Sequence, residues 1–177
     1  NHYLRYAISI PTADIWRAHA EAKKDLLDEV ARRTGVSLRP GVMTFGFARR
    51  ATAYKRTDLL FQDLGRLREI YQRVGPFQIV CAGKAHPKDE GGKALIRRIH
   101  EASKALQDII PVVYLEEYDI TLGKCLCSGV DLWLNTPQRP MEASGTSGMK
   151  AALNGIPSLS ILDGWWIEGH IEGVTGW

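Results

Sequence analysis

The run Ser144-Gly145-Thr146-Ser147-Gly148-Met149-Lys150, preceded by Glu142-Ala143, concentrates groups that can do chemistry. Small residues here set a turn against the start of a helix, with one lysine a few residues inside. A helix start carries unpaired N–H groups and the positive end of a dipole, which suits a phosphate or another anion. A lysine in that place serves either as a counter-charge or, with its amine neutral, as a nucleophile.

Such a turn needs elements to hold it, and the hydrophobic pattern supplies them. Residues 13–34 predict a helix with Ile15, Ala18, Ala22, Leu26 and Val30 along one face, Thr12 as its cap and Gly35 as its stop. An alternation follows. Strand-like runs lie at 42–48, 77–82, 111–115, 130–134 and 158–162. Helical patterns lie at 55–74, 90–107, 120–129 and 146–154. Short apolar strands alternating with amphipathic helices predict an α/β fold, a Rossmann-like parallel sheet with helices on both faces. The expected layout is one domain fragment over 1–177. It has a leading helical segment at 1–38, a βαβ core at 39–165 and an exposed end at 166–177.

Open parallel sheets bind ligands beyond the carboxyl ends of their strands. The polar clusters of this chain fall there. Arg49-Arg50 and Tyr54-Lys55-Arg56 follow the first strand, Gly83-Lys84-Ala85-His86-Pro87 the second and Glu116-Glu117-Tyr118-Asp119 the third. Asn135-Thr136-Pro137 and then Glu142-Ala143-Ser144-Gly145-Thr146 follow the fourth, and Asp163-Gly164 the fifth. The expectation is one rim and one anionic ligand site. Arginine forks match phosphate oxygens, and the turn at Gly145-Thr146 adds backbone N–H groups. Glu142, a carboxylate among cations, suits a hydroxyl-rich ligand, so sugar plus phosphate is the combination expected. Arg50, Lys55 and Glu142 flank the turn, whereas Arg56 and Lys84 read as solvated charges and His86 as a loop histidine.

Composition narrows the rest. Hydrophobic residues are 45% and charged residues 24% of 177, with a net charge of +3. Lysine and arginine are spread along helices, which argues against nucleic acid. No apolar run approaches the ~20 residues that span a bilayer, so no membrane partner is expected. Residues 1–5 hold no signal-peptide core and no initiating Met. Cys81, Cys125 and Cys127 are odd in number and spaced unlike a disulfide framework or a zinc site, and read as buried, reduced thiols of a cytoplasmic protein. His2, His19, His100 and His170 lack ligand-like spacing, so no metal is expected. The missing Met, and an end at 173–177 without a closing helix, read as a piece of a longer chain.

Taken together, Phe47-Ala48-Arg49-Arg50, Tyr54-Lys55-Arg56, Gly83-Lys84-Ala85-His86-Pro87, the stretch Val130-Asp131-Leu132-Trp133-Leu134-Asn135-Thr136-Pro137, and the run from Glu142 to Lys150 and on to Asn154-Gly155 resemble the α-glucan phosphorylases of the glycogen and starch phosphorylase family. Ser147-Gly148 and Asp163-Gly164-Trp165-Trp166 bring the likeness closest to its bacterial and archaeal branch. The resemblance covers nearly the whole chain. It implies the C-terminal, cofactor-bearing half of a glycosyltransferase with two facing Rossmann-like domains, the GT-B arrangement. Such enzymes cleave the terminal α-1,4 link of a glucan or maltodextrin with orthophosphate and give glucose 1-phosphate.

The resemblance further implies pyridoxal 5'-phosphate as cofactor, with Lys150 as its Schiff-base lysine. Arg49, Lys55, Gly145 and Thr146 would hold the cofactor phosphate, and Tyr118 would stand beside its ring. Arg50 and Lys55 would act on the substrate phosphate. Glu142, Ala143, Ser144 and Gly145 would grip the glucose hydroxyls. Ala51-Thr52-Ala53 departs from the family pattern, which more often has an aromatic residue first and threonine last; the spacing to Tyr54 is kept. The family's other domain would be a partner of this one, and the fragment alone is expected to be inactive. Two alternatives stay open, a GT-B enzyme using a nucleotide sugar and a non-catalytic sugar-phosphate binding module. A nucleotide-sugar enzyme has no need of an imine-forming lysine at 150.

Overall fold

Five short apolar runs become five parallel strands: β1 Met43–Ala48, β2 Phe77–Ala82, β3 Val112–Leu115, β4 Leu132–Asn135 and β5 Ser158–Ser160. The structure is a computed structural model that describes residues 2–177, with side chains from Tyr6 onward. Residues 1–5, expected to carry no signal segment, and the side chain of His2 lie outside the described side chains. The strand order is β3-β2-β1-β4-β5. Every pairing is parallel, with Phe45 opposite Ile79, Val80 opposite Val113, Gly46 opposite Trp133 and Leu134 opposite Leu159.

Parallel strands need long crossovers, and these are helical. The helices are α1 Thr12–Thr34, α2 Leu64–Val74, α3 Glu90–Leu106, α4 Ile120–Gly129, α5 Thr146–Leu153 and α6 Trp166–Gly169. The side chains of α1, α4 and α5 meet one face of the sheet in a core that includes Leu26, Val30, Val80, Leu115, Leu126, Trp133 and Ala151. The opposite face packs Phe47, Ile79 and Leu134 against Leu67, Ile99 and Leu106 of α2 and α3. Alternate residues of β4, Trp133 and Leu134, enter opposite cores. This is the doubly wound α/β arrangement that the alternating pattern predicts.

Several boundaries move. The helix expected over 55–74 is broken into a 3-10 turn Ala53–Lys55, a second 3-10 turn Leu59–Phe61 and then α2. Arg56 takes a left-handed conformation, φ 45°, which no helix interior allows. The Asp63 carboxylate then accepts the Arg66 N–H and starts α2 afresh. Thr12 does not cap α1: Pro11 occupies that position, where no side chain caps the helix. Gly35 does end it, at φ 71°, donating its N–H to Ala31 O. The apolar face of α1 is buried at Leu26, Leu27 and Val30 but open at Ile15.

Two further features complete the frame. At the amino edge of the sheet Asp131 gathers α1: its carboxylate accepts from Lys23 Nζ (2.6 Å) and from the Thr44 N–H (2.6 Å), and lies 2.7 Å from His19 Nε2. At the far end, residues 166–177 are mostly exposed, yet Trp166 is buried. The chain then returns to β5. Trp177 N–H donates to Ser158 O (2.7 Å) and Ser160 N–H to Trp177 O (2.8 Å).

Candidate functional site

β1 and β4 are neighbours in the sheet, but the chain leaves β1 toward β2 and leaves β4 toward β5. Connections diverging from adjacent strands open a crevice at their carboxyl ends. The loops at that crevice are stapled together. Arg56 donates from Nε to Thr136 O (3.0 Å) and from Nη2 to Pro137 O (2.8 Å). The Thr136 hydroxyl donates back to Lys55 O and Arg56 O, and the Gln138 N–H donates to Tyr54 O (2.7 Å). Arg56 is thus a strut between two loops rather than the solvated charge its position suggests.

Lys55 and Arg49 converge on Glu142. Arg49 Nη2 donates to Glu142 Oε2 at 2.9 Å, and Lys55 Nζ donates to the same oxygen. The side chains of Arg49 and Glu142 are 5% and 6% exposed, that of Lys55 14%. Burial pushes the Arg49 guanidinium below its ordinary value, while the Glu142 charge and hydrogen bond pull it back up. Arg49 Nη1 is buried with no hydrogen-bond partner among the described residues. A buried, charged donor left unpaired is costly and marks a place for an acceptor oxygen.

The strip that carries Glu142 is held from β5. Its N–H donates to Asp163 Oδ2 (2.9 Å), and Ser144 O accepts from the Trp165 N–H (2.9 Å). Gly145 adopts φ 81° at the N-cap of α5, a left-handed turn that exposes backbone N–H groups. The Trp165 ring lies against it, and a Cβ added at Gly148 would stand 3.0 Å from the indole nitrogen. Ala143, Ser144 and Thr146 are exposed along the same strip.

The remaining sequence-predicted residues lie around this centre. Arg50 is exposed and makes no ion pair among the described residues. Lys150 is exposed on α5, close enough to Cys127 to oppose the upward push that burial gives its thiol. Tyr118 is half-buried, its hydroxyl pushed up by burial, with Cys127 and Asp119 adding. No hydrogen bond joins Tyr118 or Lys150 to the Arg49, Lys55 and Glu142 cluster among the described residues. Lys84 is exposed, and His86 accepts the Lys88 N–H within its own loop. Asp163, expected only as a rim residue, also belongs to the site; its position just past β5 is the signal for it in the sequence.

An apolar groove of about 400 Å³ lies elsewhere, on the α2 side of the sheet, lined by Leu60, Leu67, Ile70, Leu134 and Leu159. None of the candidate residues lines it, and its carbon-rich wall does not suit an anion. Among the described residues no three His, Cys, Asp or Glu side chains gather as a metal-binding group. Nor is any helix there long and apolar enough to cross a membrane.

A parallel sheet wound with helices on both faces, with two cations and a carboxylate at its switch point, defines a doubly wound α/β domain. The particular family is settled by comparison with known proteins. The model of the carbohydrate phosphorylase family matches residues 11–173, and the chain belongs to that family. It is 41% identical over 181 residues to a maltodextrin phosphorylase of Thermococcus litoralis, covering 95% of this chain and 22% of that protein. It is 43% identical over 186 residues to a glycogen phosphorylase of Aquifex aeolicus, covering 95% and 27%. A glycogen phosphorylase of Mycobacterium bovis is 48% identical over 139 residues, 78% of this chain and 16% of that protein. The chain thus spans about a quarter of the length of the first two relatives.

Proposed function

We propose that this chain is part of the cofactor-bearing half of a cytoplasmic α-1,4-glucan phosphorylase of the two-domain GT-B kind. That enzyme transfers terminal glucosyl units of glucan or maltodextrin to orthophosphate, giving glucose 1-phosphate. The observation that carries the reading is Arg49: a buried guanidinium with Nη2 paired to Glu142 and Nη1 without a partner among the described residues, beside Lys55. A donor so placed suits a phosphate oxygen.

The residues present fit pyridoxal 5'-phosphate. Lys150 would hold it through its amine, Arg49, Lys55, Gly145 and Thr146 would hold its phosphate, and Tyr118 would stand beside its ring. When bound, the cofactor supplies through its phosphate a proton relay to the inorganic phosphate. The chain's own groups do the rest. Arg50, exposed and without an ion pair among the described residues, and Lys55 orient the inorganic phosphate and offset the repulsion between two phosphates. Glu142, with Ala143, Ser144 and Gly145, accepts from and positions the glucose hydroxyls through charge-assisted hydrogen bonds.

Borohydride reduction of the full-length polypeptide followed by peptide mapping tests the cofactor assignment. The label is expected on Lys150, and a label on another lysine, or none, overturns it.

A further inference from the structure

We infer that Asp163 is a positioning residue that sets Glu142 for the sugar; the inference rests on the function proposed above. Glu142 must present one carboxylate both to the cations and to a polyol, so the path of its backbone matters. That path is fixed through its N–H, which donates to Asp163 Oδ2 at 2.9 Å. Asp163 is 4% exposed and forms no ion pair among the described residues. A carboxylate buried without a cation is unfavourable unless its hydrogen bonds repay the lost water. The bond it makes here goes to the backbone of the residue that balances Arg49 and Lys55.

The residues after Asp163 reinforce the grip. Gly164 sits at φ 58°, and a Cβ there would lie 2.7 Å from Ser144 O and 3.0 Å from Glu142 O. Trp165 donates its N–H to Ser144 O and lays its ring on Gly145 and Gly148. Contacts are thus divided along the strip: Asp163 holds the Glu142 end, and Trp165 holds the start of α5, the helix that carries Lys150. Displacing the Glu142 end alone affects sugar binding before it affects the cofactor lysine.

The test uses the full-length polypeptide. Replacing D163A removes the acceptor of a charge-assisted hydrogen bond, and the KM for maltodextrin is expected to rise about tenfold. Cofactor content stays that of the wild type. In an E142A background the same D163A change moves the KM by less than about twofold, because an effect routed through Glu142 disappears with it. D163N keeps an acceptor and stays within about twofold of wild type.

An unchanged KM in D163A, or an equal rise with and without Glu142, overturns the inference. If D163A does not fold, D163N and D163E decide: N matches wild type, whereas E, whose acceptor is one methylene out of place, raises the KM. The reverse order overturns it. A wild-type polypeptide with no phosphate-dependent release of glucose 1-phosphate sinks the function and this inference together. An active wild type with an unaffected D163A sinks this inference alone.

Discussion

Cys81 illustrates how burial sets chemistry residue by residue. It lies in β2, fully enclosed, and burial pushes its thiol from a usual 9.0 to about 12. Between those values the unfolded chain loses a proton that the folded chain keeps. Stability therefore falls as pH rises through that window, by about 1.4 kcal/mol per pH unit for one such group. Denaturant titrations of wild type and C81A across pH 8–11 should show a shallower decline in the variant. Parallel slopes would mean that Cys81 is not the source. The anion cluster has a different logic. Residue types at 49, 55 and 142 were legible as rim charges, since each follows a strand. Their sharing of one carboxylate oxygen was not, because Arg49 and Lys55 meet Glu142 across some ninety residues, and Asp163 holds the Glu142 N–H from beyond β5, partners that no local pattern announces.

At the level of elements, α1 and α4 cross with little room between backbones. A Cβ at Gly129 would lie 2.7 Å from Ala22 O and 2.7 Å from Leu26 Cβ. Gly129→Ala is expected to cost roughly 1–3 kcal/mol by overpacking, read as a lowered midpoint in chemical denaturation; an unaltered midpoint would show that α1 yields freely. β2 and α4 matched their expected bounds, because a buried strand is a continuous apolar run and α4 is capped by Asp119 accepting the Leu122 N–H. The helix expected at 55–74 failed because Leu60, Leu64, Leu67 and Tyr71 keep a helical spacing across the break between the Leu59–Phe61 turn and α2. Periodicity survives such a break; only Arg56 and Asp63 mark it. The short α6 has too few residues to show a period.

For the whole molecule, the share of the relatives' length decides what to expect of this chain by itself. Spanning 22% and 27% of two phosphorylases, it carries the residues proposed above for the phosphate and the cofactor. The isolated chain of 177 residues is expected to release no glucose 1-phosphate from glucan and orthophosphate in a coupled assay. Robust release would show that one domain suffices. The return of Trp177 to β5 has a consequence of another kind. An open sheet has two borders whose unpaired N–H and C=O groups can recruit strands of other molecules. Here one border, β3, is only four residues long. The other is occupied by the backbone of Trp177, which exchanges hydrogen bonds with Ser158 and Ser160. An incoming strand would therefore have to displace the Trp177 backbone before it could pair with β5.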